Sequence, residues 1–380
     1  MANNKIKVVQ LITTMADGGA ETLVKDYALL ADRDKVDMTV IAWSEPLGSA
    51  NEARLKESDA KVIFLGEKAV TNPTKNILVK IARRIGKYYR FRRYIIDNGI
   101  DVIHVHLKFG LYLRALPRKE LKRIKLFYTV HNEPDKFFNP KGKGRKKREY
   151  KEAKRLVDNY GLTLIALHKE MERAVCDLFH TDRVVTINNG INLDKFDRNL
   201  YNREAIRKSL GIEDDVVLLG HVGSFTKQKN HELLIDIYEE YRKKNSKSKL
   251  LLVGKGVLKE QVIQNVNKRG LQDEVIFLEN RSDIPALMCA MDVFVFPSRW
   301  EGFPIVLIEA QAMGLRCVVS DRITKDAILT DNVSVVGIDD SVDSWIEAID
   351  IKSIKDNDSL KVDDFDIRKI VEVLIAMYRK

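Results

Sequence analysis

The chain has 380 residues, of which 45% are hydrophobic and 32% are charged, a mixture typical of soluble globular proteins. Eight prolines and 20 glycines exclude a collagen-like or low-complexity chain. No apolar run is long enough to predict a membrane-spanning helix. The cysteines, Cys176, Cys289 and Cys317, have neither metal-binding nor disulfide spacing. Because the N-terminus also lacks the pattern of a signal peptide, we expect a cytoplasmic protein.

The net charge of +10 is unevenly distributed along the chain. Residues 1–190 contain 37 Lys and Arg against 23 Asp and Glu, a net +14, whereas residues 191–380 contain 28 against 32, a net −4. Residues 80–93 hold seven basic residues and no acidic one, and residues 141–155 hold nine against two. A solvated surface, nucleic acid and an anionic membrane are the alternatives for such segments. Because no nucleic-acid-binding motif is found, nucleic acid is not expected as a partner.

Strand-like and helical patterns alternate along the first half of the chain. The predicted strands are residues 6–12, 36–43, 61–65, 101–106, 126–131, 163–166 and 184–187. After the first strand, Asp17-Gly18-Gly19 forms a turn, and a helix is predicted over residues 20–31 with Glu21 in its first turn. His104 and His106 alternate with valine in the fourth strand, where they are either acceptor contacts or buried strand-end histidines.

The pattern restarts in the second half. Strands are predicted over residues 216–222, 249–253, 275–278, 293–296 and 317–320, with helices between them. Two such series predict an α/β chain of two doubly wound domains, with ligands in a cleft at the carboxyl ends of the strands. We place the domains at residues 1–192 and 193–363, and residues 364–380 form a final amphipathic helix.

The most informative segment leads from a buried strand through a loop into a helix. The loop carries Glu301, and the helix is predicted from Pro304 to about Met313, with Glu309 in its second turn. Helical side chains lean toward the N-terminus, so both carboxylates can address a ligand over the helix start, roughly 7–8 Å from Glu309 along the axis. The free N–H groups of the first turn would face phosphates. Alternatively, Glu301 caps the helix and Glu309 is a surface residue, although the neighbours of Glu309 are largely apolar.

The segment EGFPIVLIE, from Glu301 to Glu309, resembles the Glu-x7-Glu motif of retaining glycosyltransferases of family 4, which have the GT-B fold. Further motifs resemble this family in the same order over nearly the whole chain: Gly18-Gly19-Ala20-Glu21, residues 102–106, Thr129-Val130-His131-Asn132, Asn189-Gly190-Ile191-Asn192, residues 221–231, Val253-Gly254-Lys255-Gly256 and residues 292–298. The resemblance implies two Rossmann-like domains facing a cleft, with the C-terminal helix packing back on the N-terminal, acceptor-binding domain. The second domain would bind a nucleotide-sugar.

The resemblance also implies a role for each matching residue. Glu301 would contact the transferred sugar near the reacting carbon, Lys229 would neutralise the leaving diphosphate, and His131 would touch the sugar. Glu309 would hold the ribose hydroxyls. The remaining donor-binding positions would be Gly18, Gly19, Ser224, Gly254, Phe303, Pro304 and Ile305, with the amides of Phe303 and Ile305 cradling phosphates on either side of the proline, which has no N–H. No cofactor and no metal ion are expected.

Two positions depart from the family pattern. Ser224 stands where the family usually has arginine, so either Lys227 supplies the missing cation or the donor binds more weakly. Glu279 stands where the family commonly has glycine near the base pocket, which leaves the base open.

The function implied is transfer of a sugar, most readily from a UDP-sugar, to a lipid-linked or saccharide acceptor in bacterial surface polysaccharide synthesis. The basic segments would hold the acceptor and keep the enzyme at the inner face of the cell membrane, with Tyr88, Tyr89, Phe91 and Tyr94 at the headgroup level. Alternatively, these aromatic side chains belong to the core and only the charges are exposed. The basic residues assigned to this role are Arg83, Arg84, Lys87, Arg90, Arg145, Lys146, Lys147 and Arg148. The alternatives are a nucleic-acid-binding or regulatory protein on a degenerate GT-B scaffold, and a GT-B nucleotide-sugar epimerase.

Overall fold

The computed structural model describes residues 5–66, 77–108, 112–279, 281–351 and 359–380. The chain divides into two compact units. The N-terminal unit comprises Met1–Gly190 together with Ile367–Lys380, and the C-terminal unit comprises Ile191–Asp366. These boundaries lie two to three residues from the positions that the sequence predicts.

The N-terminal unit is built on a parallel sheet of seven strands in the order β3-β2-β1-β4-β5-β6-β7. The strands are β1 (Ile6–Ile12), β2 (Val36–Ala42), β3 (Lys61–Phe64), β4 (Val102–His106), β5 (Lys125–Thr129), β6 (Thr163–Ala166) and β7 (Val184–Thr186). All seven were predicted, because strands covered on both faces read as continuous apolar runs. The strand order reverses between β1 and β4, and a doubly wound sheet opens a crevice at such a point.

In the described part of this unit, helices connect these strands. They are α1 (Gly19–Leu30), α2 (Ala50–Lys56), α3 (Ile77–Asp97), α4 (Arg118–Arg123), α5 (Pro134–Phe137), α6 (Gly144–Tyr160) and α7 (Lys169–Phe179). The two basic segments of the sequence fall on α3 and α6. Helix α3 buries little of its surface, since its buried residues are Phe91 and Ile95, whereas α6 buries one side that includes Glu152 and Leu156.

The C-terminal unit repeats the plan with six parallel strands in the order β10-β9-β8-β11-β12-β13. The strands are β8 (Val217–Val222), β9 (Ser248–Val253), β10 (Val275–Leu278), β11 (Val293–Phe296), β12 (Arg316–Ser320) and β13 (Val333–Val336). The helices are α8 (Arg203–Ser209), α9 (His231–Lys244), α10 (Lys259–Lys268), α11 (Ile284–Ala290), α12 (Ile305–Ala312) and α13 (Val342–Asp350). The edge strand β13 was not predicted, because its side chains are half-exposed and form no continuous apolar run. The two predicted doubly wound sheets are confirmed.

The last helix, α14 (Ile367–Arg379), packs on the core of the N-terminal unit. Its apolar side contacts the cluster that includes Leu23 and Tyr27 of α1 and Phe127 of β5. The backbone at Gly190 approaches the start of this helix so closely that a Cβ there would lie 2.6 Å from the Ile367 Cα. The predicted packing of the C-terminal helix on the N-terminal domain is therefore confirmed.

Candidate active site

Lys229 and Glu301, which are 72 positions apart in the sequence, form an ion pair in the C-terminal unit. The Lys229 Nζ lies 2.7 Å from the Glu301 Oε1, and the side chains are only 14% and 7% exposed. Gln228 donates from its Nε2 to the second carboxylate oxygen at 3.0 Å. Gln228 and Lys229 lie in the loop after β8, and Glu301 lies in the loop after β11. These are the neighbouring strands at which the order of this sheet reverses. The structure thus brings together two of the three predicted catalytic residues at the edge where such sheets bind ligands.

Two further contacts fix this pair. The Arg299 amide donates to the Gln228 carbonyl at 2.8 Å, which joins the two loops through their backbones. The Lys229 ammonium also lies 4.6 Å from the centre of the Phe296 ring, within the range of a cation–π contact. The ammonium and the carboxylate are therefore held at defined positions before any ligand binds, which favours electrostatic stabilisation of developing charge.

The helix that follows Glu301 begins with its backbone donors free of a side-chain cap. Pro304 is the N-cap of α12, one residue before the helix, and its carbonyl accepts from the amides of Leu307 and Ile308. The amides of Ile305 and Val306, in the first turn, are available to an anion. Glu309 lies in the second turn, partly buried, as the sequence predicts.

The loops around Ser224 and Gly254 are joined by backbone hydrogen bonds. The Gly223 amide donates to the Val253 carbonyl at 2.9 Å, and the Phe225 amide donates to the Lys255 carbonyl at 3.0 Å. Gly254 has φ +155°, and a Cβ there would lie 2.1 Å from the Gly223 carbonyl oxygen. Only glycine fits this position. The side chains of Ser224 and Lys227 are exposed on the same loop.

In the N-terminal unit, the glycine turn after β1 accommodates a buried carboxylate. A Cβ at Gly18 would lie 2.4 Å from the Glu21 Oε2. The other carboxylate oxygen accepts from the Thr14 hydroxyl at 2.9 Å, and burial raises the pKa of Glu21. A side chain at position 18 would therefore displace the Glu21 carboxylate, whereas Gly19 is exposed at the start of α1. The predicted contacts of both glycines with a ligand stay predictions.

His131 lies two residues beyond β5 and belongs to a chain of buried polar groups. Its Nε2 lies 2.9 Å from the His106 Nδ1, and the His106 Nε2 lies 2.8 Å from the Gln10 Oε1. Gln10 donates from its Nε2 to the Tyr378 hydroxyl at 3.1 Å, and that hydroxyl lies 2.5 Å from the His104 Nδ1. His104 and His106 are 0% exposed, so they are buried strand-end histidines rather than direct acceptor contacts.

The contacts of His106 and His131 assign the proton on each of these two imidazoles. With the Gln10 amide oriented as in the structure, its oxygen accepts from the His106 Nε2–H. Burial lowers the pKa of His106 well below its ordinary value and that of His131 to about 4, so both rings are neutral near pH 7. The His106 Nδ1 is then an acceptor, and His131 must donate to it through its Nε2–H. The His131 Nδ1 is left as an acceptor.

The basic residues of α3 and α6 divide into two groups. A cavity of about 690 Å³ in the N-terminal unit is lined by the predicted residues Arg83, Arg84, Lys87, Arg90, Arg145 and Arg148. Lys146 and Lys147 do not line it, so the prediction that they act together with Arg145 and Arg148 is not supported by this cavity. The aromatic side chains also divide: Phe91 is buried in the core, Tyr94 bonds Thr39, Tyr88 lines the cavity, and Tyr89 is exposed. The prediction that all four aromatics face a membrane is therefore wrong.

Several residues at these sites were not predicted. Gln228 stands beside Lys229 in a polar loop, and Trp43 ends a predicted strand, so both had a local signal in the sequence. Gln10 and Tyr378 had none, because they are 368 positions apart and meet only through packing of α14. Among the residues that the structure describes, no group of three or more His, Cys, Asp or Glu is arranged to hold a metal ion.

Known proteins that are similar in sequence and fold identify the family of this chain. Residues 17–195 match the domain described as Glycosyltransferase Family 4, and residues 202–362 match Glycosyl transferases group 1. The fold resembles the crystal structure of HepE from Anabaena, with a TM-score of 0.75 and 19% identity over 99% of this chain and 100% of HepE. It also resembles the glycosyltransferase WaaG, with a TM-score of 0.73 and 18% identity over 98% and 99% of the two chains. The fold and the site define a glycosyltransferase of the GT-B class.

The particular family follows from the two domain matches. The chain belongs to the glycosyltransferases that join an N-terminal Family 4 domain to a C-terminal group 1 domain. EpsF from Bacillus subtilis, which is named as a glycosyltransferase, is 27% identical over 92% of this chain and 88% of its own. An Escherichia coli UDP-Gal:alpha-D-GlcNAc-diphosphoundecaprenol alpha-1,3-galactosyltransferase is 26% identical over 91% and 88%. The prediction of a transferase is confirmed.

The proton assignment makes a prediction for ¹⁵N NMR of histidine-labelled protein. His106 and His131 should each show a protonated Nε2 and a bare Nδ1, and neither should titrate between pH 8 and about pH 5, because burial lowers both pKa values. Tyr378→Phe removes the hydroxyl that binds Gln10 and should broaden or shift both spectra. A proton on the His131 Nδ1, or titration of either ring above pH 6, would contradict the assignment.

Proposed function

We propose that this glycosyltransferase moves a sugar from a UDP-sugar to a lipid-diphosphate-linked acceptor, with retention at the anomeric carbon, in bacterial surface polysaccharide synthesis. The buried ion pair of Lys229 and Glu301 is the observation that carries the proposal. A diphosphate needs a cation, and a sugar that develops positive charge needs an anion nearby. The pair supplies both at adjacent points.

In the proposed donor complex, Lys229 exchanges its carboxylate partner for the diphosphate. The first-turn amides of α12 bind the phosphate oxygens, as helix N-termini do with anions. Glu301 keeps its bond from Gln228 and turns its other oxygen to the hydroxyls of the transferred sugar. Glu309 binds the ribose, and the Gly254 loop adjoins the nucleoside.

Retention is proposed to occur by displacement on one face of the sugar. The bond between the anomeric carbon and the phosphate oxygen of UDP breaks while the acceptor oxygen forms its bond on the same side. The leaving phosphate oxygen accepts the proton of the acceptor hydroxyl, so no covalent intermediate with the protein forms.

The relatives support the choice of donor and acceptor. HepE was crystallised with UDP and glucose, and separately with UDP-glucose. The E. coli relative is named for a UDP-galactose donor and a diphosphoundecaprenol-linked acceptor. A basic N-terminal half that carries a net +14 suits an acceptor with a diphosphate, because opposite charges concentrate the ligand at the surface.

Nucleotide binding by calorimetry tests this proposal. UDP should bind more tightly than GDP or ADP, and Lys229→Met should weaken UDP binding by roughly 10- to 100-fold, since a charge-assisted bond contributes about 1.5–3 kcal/mol. Lys243→Met, on the exposed end of α9, is the matched control and should change nothing. If no nucleoside diphosphate binds, the proposed function is wrong. An equal loss from Lys227→Met would show that the exposed lysine also serves as a diphosphate cation.

The two glutamates should have separable effects on steady-state kinetics. Glu301→Gln should lower kcat by about 10-fold or more with little change in KM, because its charge acts on the transition state. Glu309→Gln should chiefly raise KM for the UDP-sugar, because an amide binds ribose hydroxyls less strongly than a carboxylate does. Glu240→Gln on the surface of α9 controls for loss of charge. Unchanged kinetics in both variants would refute the donor assignment.

The exposed side of α3 supports association with an anionic membrane. Ile77, Ile81, Ile85 and Tyr89 recur every four residues and are 69%, 49%, 62% and 62% exposed. Residues four apart share one side of a helix, so they form a continuous apolar stripe. Lys80, Arg83, Arg84 and Lys87 flank it. A cationic helix with an apolar side binds in the plane of an anionic interface. No helix in the described part of the chain is long and apolar enough to cross a bilayer.

Sedimentation with lipid vesicles tests this surface. The protein should bind vesicles that contain phosphatidylglycerol, bind neutral vesicles weakly, and be released by high salt. Ile81→Ser with Ile85→Ser should lower the bound fraction several-fold without lowering the Tm, because both side chains are already exposed. Val373→Ser, which alters an exposed aliphatic residue on α14, should have no effect. Equal binding to neutral vesicles would refute the role of charge, and stronger salt-sensitive binding to RNA would favour a nucleic-acid partner.

A further inference from the structure

The N-terminal unit holds a cavity of about 690 Å³ beside the carboxyl ends of β2 and β3. Trp43 and Ser44, directly after β2, and Gly66, after β3, form one side, while α3 and α6 form the other. The Ser44 amide donates to the Thr13 carbonyl at 2.9 Å, so the cavity adjoins the loop that runs from β1 to Gly18. It therefore lies at the edge of the sheet where ligands of doubly wound domains bind.

The charge of the cavity is strongly positive. Seven Lys or Arg side chains line it, against the two carboxylates of Glu45 and Glu149. Two of the cations are fixed on backbone carbonyls: Lys87 donates to Trp43 at 3.2 Å, and Arg90 donates to Leu65 at 2.6 Å. Across the part of the chain that the structure describes, Arg145 and Arg148 form no ion pair. Like charges collected around one cavity repel one another, and a bound dianion would relieve that repulsion.

The floor of the cavity is aromatic. Trp43 stacks on Tyr112 with ring centres 3.9 Å apart, and Tyr88 packs edge-on against Trp43 at 5.1 Å. Burial raises the pKa of Tyr112 to about 12, so its hydroxyl stays protonated at neutral pH. A stacked aromatic pair offers an apolar surface to a sugar ring or a prenyl group, and the cations offer bonds to phosphate. Both kinds of surface meet in one place.

The side chains that line the cavity and those of the apolar stripe lie on neighbouring sides of α3. Lys80, Arg83, Arg84 and Lys87 follow the spacing of one helix side and line the cavity, and Ile81, Ile85 and Tyr89 lie on an adjoining side that is also exposed. A ligand with a diphosphate at one end and a hydrocarbon chain at the other could bind its anionic end in the cavity while its chain follows the stripe into a membrane.

We propose that this cavity binds the diphosphate of a prenyl-diphosphate-linked acceptor, with the adjoining sugar or prenyl unit against Trp43. The inference rests on the proposed function, because it gives a site to the acceptor of that reaction. A phospholipid headgroup shares the phosphate chemistry. The cavity favours the diphosphate, because its cations surround one volume on two helices instead of forming a flat surface.

The test uses geranyl diphosphate and calorimetry with the full chain. Arg145→Ser with Arg148→Ser should weaken binding at least 10-fold. Lys146→Ser with Lys147→Ser removes the same charge from the same helix outside the cavity, and should change binding less than twofold. UDP binding and the Tm should be unchanged in both double variants. If the cavity proposal fails, UDP still binds, whereas if the donor proposal fails, UDP itself does not bind.

Three results would overturn the proposal. Geranyl diphosphate could fail to bind the wild-type protein, or the two double variants could weaken its binding equally, which would indicate diffuse attraction by α6. Alternatively, phosphatidylglycerol vesicles could displace geranyl diphosphate, and the variant Arg145→Ser with Arg148→Ser could bind these vesicles as weakly as it binds geranyl diphosphate. That result would assign the cavity to lipid headgroups. Binding of inorganic pyrophosphate with the same dependence on Arg145 and Arg148, but more weakly, would support the proposal, because the aromatic floor adds affinity for the organic part.

Discussion

The ion pair between Lys229 and Glu301 is the interaction on which the C-terminal site depends. Both side chains are largely removed from water, so each needs the other, and Gln228 and Phe296 supply the remaining contacts. Removing one partner would leave a buried charge uncompensated, which is far more destabilising than losing an exposed pair. A ligand can replace the pairing only if it brings its own anion for the lysine and its own donors for the carboxylate. A sugar attached to a diphosphate has both.

The topology of the two sheets explains why such distant residues meet. In each unit the strand order reverses next to the first strand, at β1 and β4 in one and at β8 and β11 in the other. The connections leave that point in opposite directions, and the loops after the two strands border an open crevice. Gly18 and His131 follow strands of the first sheet, and Lys229 and Glu301 follow strands of the second. The same construction thus occurs twice within one chain.

The two halves of the chain differ in how they use charge. The C-terminal half has a net negative charge, and its site relies on single, well-placed groups: one ammonium, one carboxylate and the amides of a helix start. The N-terminal half collects many cations around a cavity and beside an apolar stripe. A fixed pair suits charge that appears at one atom during a reaction. A cationic surface suits attraction of an anionic ligand or membrane, which acts over a longer range.

The strands other than the half-exposed β13, the parallel sheets and the Glu301–Glu309 motif could be predicted from the sequence alone, because buried parallel strands are continuous apolar runs and the motif is local to one loop and helix. Which basic residues line one cavity, in contrast, follows from the packing of α3 and α6. Arg145 and Arg148 face the cavity while Lys146 and Lys147 do not, since each helical residue turns about 100° from the last and packing sets which side faces inward. Likewise, the chain from His131 to Tyr378 exists only because α14 returns to the first unit, and no local pattern encodes a contact between residues at opposite ends of the chain.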